Sequence, residues 1–146
     1  MYYFDYRAQF NITHPTNMLA DFAGVLPQLP RVHIKRGDER RDKTGKLLGR
    51  KAKASYLSWR LHNEMEVSSK TRSIDKVLLM FFQRLNRKRQ ILKRLLLTGG
   101  SAAIEIALRP SNSYSVCILN PKLLRRFVEL GVELDICVVV PPGRLH

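Results

Sequence analysis

The chain has 146 residues, 45% of them apolar, which suits one domain with a sizeable core. Its 26 Lys and Arg outnumber 12 Asp and Glu, and a net charge of +14 points to polyanionic partners. Two cysteines, Cys117 and Cys137, are too few for a disulfide scaffold, and no apolar run reaches the ~18 residues of a membrane span.

MYYFDYRAQF has no basic start followed by an apolar run, so no signal peptide is expected and the cytoplasm is the expected location. Residues 2–12 alternate instead. Tyr2, Phe4, Tyr6, Ala8, Phe10 and Ile12 take one face of a strand, with Tyr3, Asp5, Arg7, Gln9 and Asn11 on the other. Pro15 is suited to the first position of a helix, which is expected from about 15 to 24 with Met18, Leu19 and Phe22 as its stripe and Gly24 as its stop. Pro27 and Pro30 stiffen the connector that follows. Arg31 to Lys35 reads as a second strand with Val32 and Ile34 inward. Residues 37–53 are mostly charged, with Gly45 and Gly49, and read as a mobile basic loop. Ala54 to His62 is a third strand with Leu57, Trp59 and Leu61 on its core face, and Asn63 to Arg72 is a polar loop.

Ser73 to Leu97 is the longest helical pattern. At 100° per residue Ile74, Val77, Leu78, Phe81, Leu85, Leu92, Leu95 and Leu96 form one stripe. Lys76, Arg87 and Arg94 lie roughly opposite. Lys88 and Arg89 flank the stripe where it narrows, so a bend is expected at Asn86 to Arg89. Leu79 and Met80 fall off the stripe, a second packing surface for a neighbouring helix or for a homodimer partner. Gly99-Gly100 ends the segment. Ala102 to Leu108 and Tyr114 to Leu119 read as a hairpin across the Arg109 to Ser113 turn. Asn120-Pro121 then starts a helix with Leu123, Leu124, Phe127 and Val128 as its stripe, stopped by Gly131. Val132 to Val140 is the last strand, with Val132, Leu134, Ile136 and Val138 inward.

The expected fold is a single α+β domain over 1–146, in the order β-α-β-β-α-β-β-α-β. Strands apolar on one face imply a mostly antiparallel sheet with all helices on one side. The first six elements follow the ferredoxin-like order.

Certain residues carry a family resemblance. They are Pro15, Leu29-Pro30, Lys35-Arg36-Gly37-Asp38, Ser58-Trp59, Asn120-Pro121-Lys122-Leu123-Leu124 and Leu130-Gly131-Val132-Glu133-Leu134-Asp135. Together they resemble the bacterial family called domain of unknown function 4279, over nearly the whole chain. The resemblance implies a small α+β protein of the bacterial cytoplasm, with an immunity-like role among its expectations. It supplies no catalytic residues. This chain departs from the family pattern in the Lys and Arg content of the 37–53 loop and the long helix.

The charge is localised. Residues 31–60 hold 11 Lys or Arg against 3 acids, and residues 70–97 hold 9 against 1. The expected partner-binding surface is Arg40, Arg41, Lys43, Lys46, Arg50, Lys51 and Lys53 of the loop with Lys76, Arg84, Arg87, Lys88 and Arg94 of the helix. His14, His33, His62 and His146 have no metal-like spacing, and no Gly-rich phosphate loop follows a strand. His33 and Arg60, with Asp5 or Glu105, form the one constellation suited to acid–base work. No enzyme activity, cofactor or metal is expected. The expected function is an interaction protein, immunity- or inhibitor-like, that docks an acidic protein. The alternative is phosphate-driven nucleic-acid binding, with Tyr3 and Tyr56 on the parity for base stacking.

Overall fold

The structure is a computed structural model and describes residues 3–16, 22, 26, 28–110 and 116–140. The helix expected from 15 to 24 falls largely outside these residues, although Phe22 and Leu26 are described and buried. The C-terminal Pro141-Pro142-Gly143 also lies outside.

The sheet is built around β1 (Phe4–His14), whose alternation is the one read from the sequence: Phe4, Tyr6, Ala8, Phe10, Ile12 and His14 are buried, with more exposed residues between them. β5 (Ser55–Arg60) and β7 (Ser101–Pro110) flank β1 antiparallel, and β2 (Val32–Ile34) pairs antiparallel with β5. β8 (Val132–Val138) adds to β7 in parallel, giving the order β2-β5-β1-β7-β8. Its first four strands have the order and alternating direction of a ferredoxin-like sheet. A short β6 (Val67–Ser68) lies inside the expected polar loop and pairs with the start of β1.

Several expectations are corrected. β2 has the opposite parity: Val32 and Ile34 pair with Ser58 and Tyr56 on the open face, and His33 pairs with Leu57 on the helix face. A three-residue edge strand takes its register from β5, and its own alternation is too short to fix it. Residues 37–53 are not a plain loop. They contain an antiparallel ribbon, β3 (Glu39–Arg41) with β4 (Leu47–Lys51). Asp42 makes its turn, its Oδ1 accepting from the Thr44 and Lys46 amides, and Gly45 supplies φ +86°. The expected strand Tyr114 to Leu119 is not formed over residues 116–119, and the rest of it lies outside the described residues. The chain crosses from β7 through a helix to β8, with no hairpin pairing over that stretch.

The long helix is two helices, α1 (Ile74–Asn86) and α2 (Arg89–Leu97), broken inside the expected bend. Ser73 caps α1 through its side chain. Of the stripe, Ile74, Val77, Leu78, Phe81, Leu85, Leu92 and Leu95 are buried and Leu96 partly so. α3 (Pro121–Glu129) starts on Asn120, whose side chain accepts from the Lys122 and Leu123 amides. Gly131 ends it at φ +74°, with Leu96 packed where a Cβ would stand. In α3, Leu123 and Phe127 are buried but Val128 is 71% exposed. On β8, Val132 is buried, Leu134 half-buried, and Ile136 and Val138 are exposed, so that strand is inward only at its start.

An aromatic chain ties the layers together. Trp59 of β5 stacks on Phe10 of β1 at 5.8 Å, Phe10 meets Phe81 of α1 at 4.9 Å, and Phe81 meets Phe127 of α3 at 6.1 Å. Each such ring adds specific contact energy to its large apolar burial.

Candidate functional site

The cations expected to bind a partner are all exposed. Seven belong to the ribbon. Arg40 and Arg41 lie on β3, Lys43 and Lys46 at its turn, Arg50 and Lys51 on β4, and Lys53 just beyond. Lys76 and Arg84 lie on α1, Arg87 and Lys88 at the helix break, and Arg94 on α2.

The root of the ribbon and the end of α2 lie at the same end of the sheet. Ser55, where β5 leaves the ribbon, pairs with His14. The Arg36 guanidinium donates to the Pro15 carbonyl at 3.0 Å, and His14 Nε2 lies 2.9 Å from Thr98 Oγ1 just past α2. Arg94 is one turn before Thr98, whose hydroxyl donates to its carbonyl. Lys76 is at the far end, because α1 begins beside the opening residues of β1, where the Tyr6 hydroxyl donates to the Arg72 carbonyl. The described contacts therefore bring Arg94 toward the ribbon root and leave Lys76 remote from it.

Six acidic groups are committed to local structure. Asp38 accepts from the Lys35 amide, and Asp42 holds the ribbon turn. Glu64 pairs with Arg72 and Glu66 with Arg109. Asp75 accepts from the Asn120 amide, and Glu105 from Gln9 and Asn11. By contrast, the side chains of Arg40, Lys43, Lys46, Arg50, Lys51, Lys53, Lys76, Arg84, Arg87 and Lys88 make no hydrogen bond or ion pair among the described residues. Arg41 donates to the Gly45 carbonyl.

Among the described residues, two depressions on the helical surface carry basic side chains. One, of about 340 Å³, holds Arg84 and Arg72 beside Gln28, His62 and Asn63. The other, of about 580 Å³, lies between the α1–α2 break and α3 and carries Arg89, Lys93 and Arg126. None of these three is among the expected site residues. Arg89 and Lys93 sit in the helix whose charge the sequence displays, while Arg126 lies outside both basic segments and joins them only through the packing of α3.

The acid–base constellation is not assembled. Gln9 pairs with Arg60 on one side and Glu105 on the other, but Asp5 sits opposite Arg109, and His33 is on the other face of the sheet. The buried histidines are structural. His62 Nε2 accepts from the Ala8 amide at 3.0 Å while Nδ1 donates to the Glu64 carbonyl, and burial lowers its pKa. His14 Nδ1 accepts from the Thr16 amide. His146 lies outside the described residues. Cys137 is exposed on β8, and Cys117 is half-buried against the core and off any strand. Burial, with Asp75 nearby, raises the Cys117 pKa, which disfavours the thiolate.

Among the described residues no group of three His, Cys, Asp or Glu could hold a metal ion, and no helix is long and apolar enough to cross a membrane. No curated protein and no solved structure matches the chain. Residues 4–141 match the family described as domain of unknown function (DUF4279), to which the chain belongs.

Proposed function

We propose that this protein acts by binding, docking an acidic protein against the cations of its helices and ribbon, and that it is not an enzyme. One observation carries the reading: six acids are taken up in turns, caps and pairs, while Arg40, Lys43, Lys46, Arg50, Lys51, Lys53, Lys76, Arg84, Arg87 and Lys88 are exposed and make no side-chain hydrogen bond or ion pair among the described residues. Exposed, unpaired charge of one sign steers and orients an oppositely charged partner. An immunity- or inhibitor-like role, in the cytoplasm, is the form of binding this surface suits.

A protein partner is favoured over single-stranded nucleic acid by the placement of the aromatic rings. Among the described residues no Phe, Tyr or Trp is exposed. Tyr3 and Tyr56 sit near opposite ends of β1, about 33 Å apart at strand rise, and the Lys70 ammonium lies 5.6 Å from the Tyr3 ring. Base stacking needs neighbouring, accessible rings.

The test is lysine crosslinking in extracts of the source cells, with the crosslinked peptides mapped. Crosslinks should concentrate on Lys88, Lys93 and the ribbon lysines, join them to acidic proteins and survive nuclease treatment. Crosslinks spread evenly over every exposed lysine, or abolished by nuclease, would contradict the proposal.

A further inference from the structure

The depression between the α1–α2 break and α3 combines charge with an apolar floor. Arg89 and Lys93 are four residues apart on α2 and line one wall. Arg126 stands on α3, its guanidinium carbon 5.7 Å from the centroid of the Phe82 ring. Phe82, Leu96 and Val128 supply apolar surface between and beside these cations. Val128, on the apolar stripe of α3, faces neither the core nor another described side chain closely enough to be covered, at 71% exposure.

We infer that this groove takes an acidic segment of a partner polypeptide in which carboxylates flank one aliphatic side chain. The carboxylates meet Arg89, Lys93 and Arg126, and the aliphatic group enters among Phe82, Leu96 and Val128. The inference rests on the acidic-partner reading and gives it a location. Charge complementarity selects the carboxylates. Arg126 is already placed over Phe82, so less side-chain freedom is lost when a carboxylate binds it. A phosphate backbone fits less well, because it would leave the apolar floor unused.

The experiment uses the full chain and three fluorescent probes at about 50 mM salt. They are a short Glu-rich peptide with one central Leu, the same peptide with Ser for Leu, and a single-stranded oligonucleotide. The Leu peptide should bind best, with the Ser peptide weaker by about fivefold, within what one aliphatic contact supplies. R89E with K93E should weaken the Leu peptide at least tenfold. V128D should also weaken it, while R50E with K51E in the ribbon should leave it within about twofold. These are surface positions, and an unchanged circular dichroism spectrum checks the fold of each variant. Amide shifts of labelled wild-type protein should move around residues 82–97 and 126–131. If the Leu peptide binds but the ribbon variant loses it and the groove variant does not, the groove is wrong and the acidic-partner reading stands. If no acidic peptide binds, or the oligonucleotide binds more tightly than either peptide, both fall.

Discussion

Phe81→Ala is expected to destabilise the protein by about 3–5 kcal/mol, a large part of the ~5–15 kcal/mol that holds a typical domain. Phe81 is 3% exposed and sits between Phe10 and Phe127, so it joins β1, α1 and α3. Truncation removes apolar burial and opens a cavity that rings held on two sides cannot fill. Met80, its neighbour, is 57% exposed, and Met80→Ala should change stability by no more than about 0.5 kcal/mol. Urea denaturation of both variants checks the pair. Similar small losses would mean that α3 is not docked through this aromatic chain.

Acid should weaken the fold through His62 before the carboxylates titrate. Burial lowers its pKa from the usual 6.5, helped by the Arg72 and Arg7 charges and opposed by the Glu64 carbonyl and carboxylate. A depressed folded pKa means that the neutral ring is the stabilised form. Its contribution is complete above pH 6.5 and is lost as the pH falls through the folded value. The structural reason is that protonated Nε2 would point a second donor at the Ala8 N–H. Asp42 and Glu64 also have lowered pKa values, led by hydrogen bonds, but from usual values of 3.8 and 4.5, so they act at lower pH. The melting temperature should therefore fall as the pH drops below 6.5. His62→Gln, which retains an acceptor but does not titrate, should flatten that fall. His62→Ala should cost about 1–3 kcal/mol at neutral pH by leaving the Ala8 amide unpaired. Identical pH profiles for wild type and His62→Gln would contradict this account.

Long, strongly patterned segments were legible in the sequence. β1 reads correctly because alternation over its whole length allows one register. The helical stripe reads correctly from Ile74 to Leu96, and the cations flanking its narrow point mark the break before Arg89. Asn120-Pro121 and Gly131 bracket α3 through local backbone chemistry. What escaped depends on partners distant in sequence. The parity of β2 is imposed by β5. The apolar run from 116 to 119 resembles a strand, but β7 has already taken β1 and β8 as its two neighbours. The ribbon had a visible signal in Asp42-Lys43-Thr44-Gly45, outweighed by the charge around it. The exposed cations were legible as two basic segments. The groove was not, because it joins residues of α1, α2 and α3, and Arg126 carries no mark of it in its own neighbourhood.

The binding surface itself is tested most directly by titrating labelled polyglutamate into the full chain at about 50 and 200 mM salt. The comparison is with a variant carrying R50Q, K51Q, R87Q and K88Q, whose side chains have no partners to lose among the described residues. Binding to the wild type that weakens with salt, falls about tenfold or more in the variant, and leaves the melting temperature unchanged is the expected result. Absence of binding at the lower salt, or equal binding by the variant, would contradict a basic docking surface.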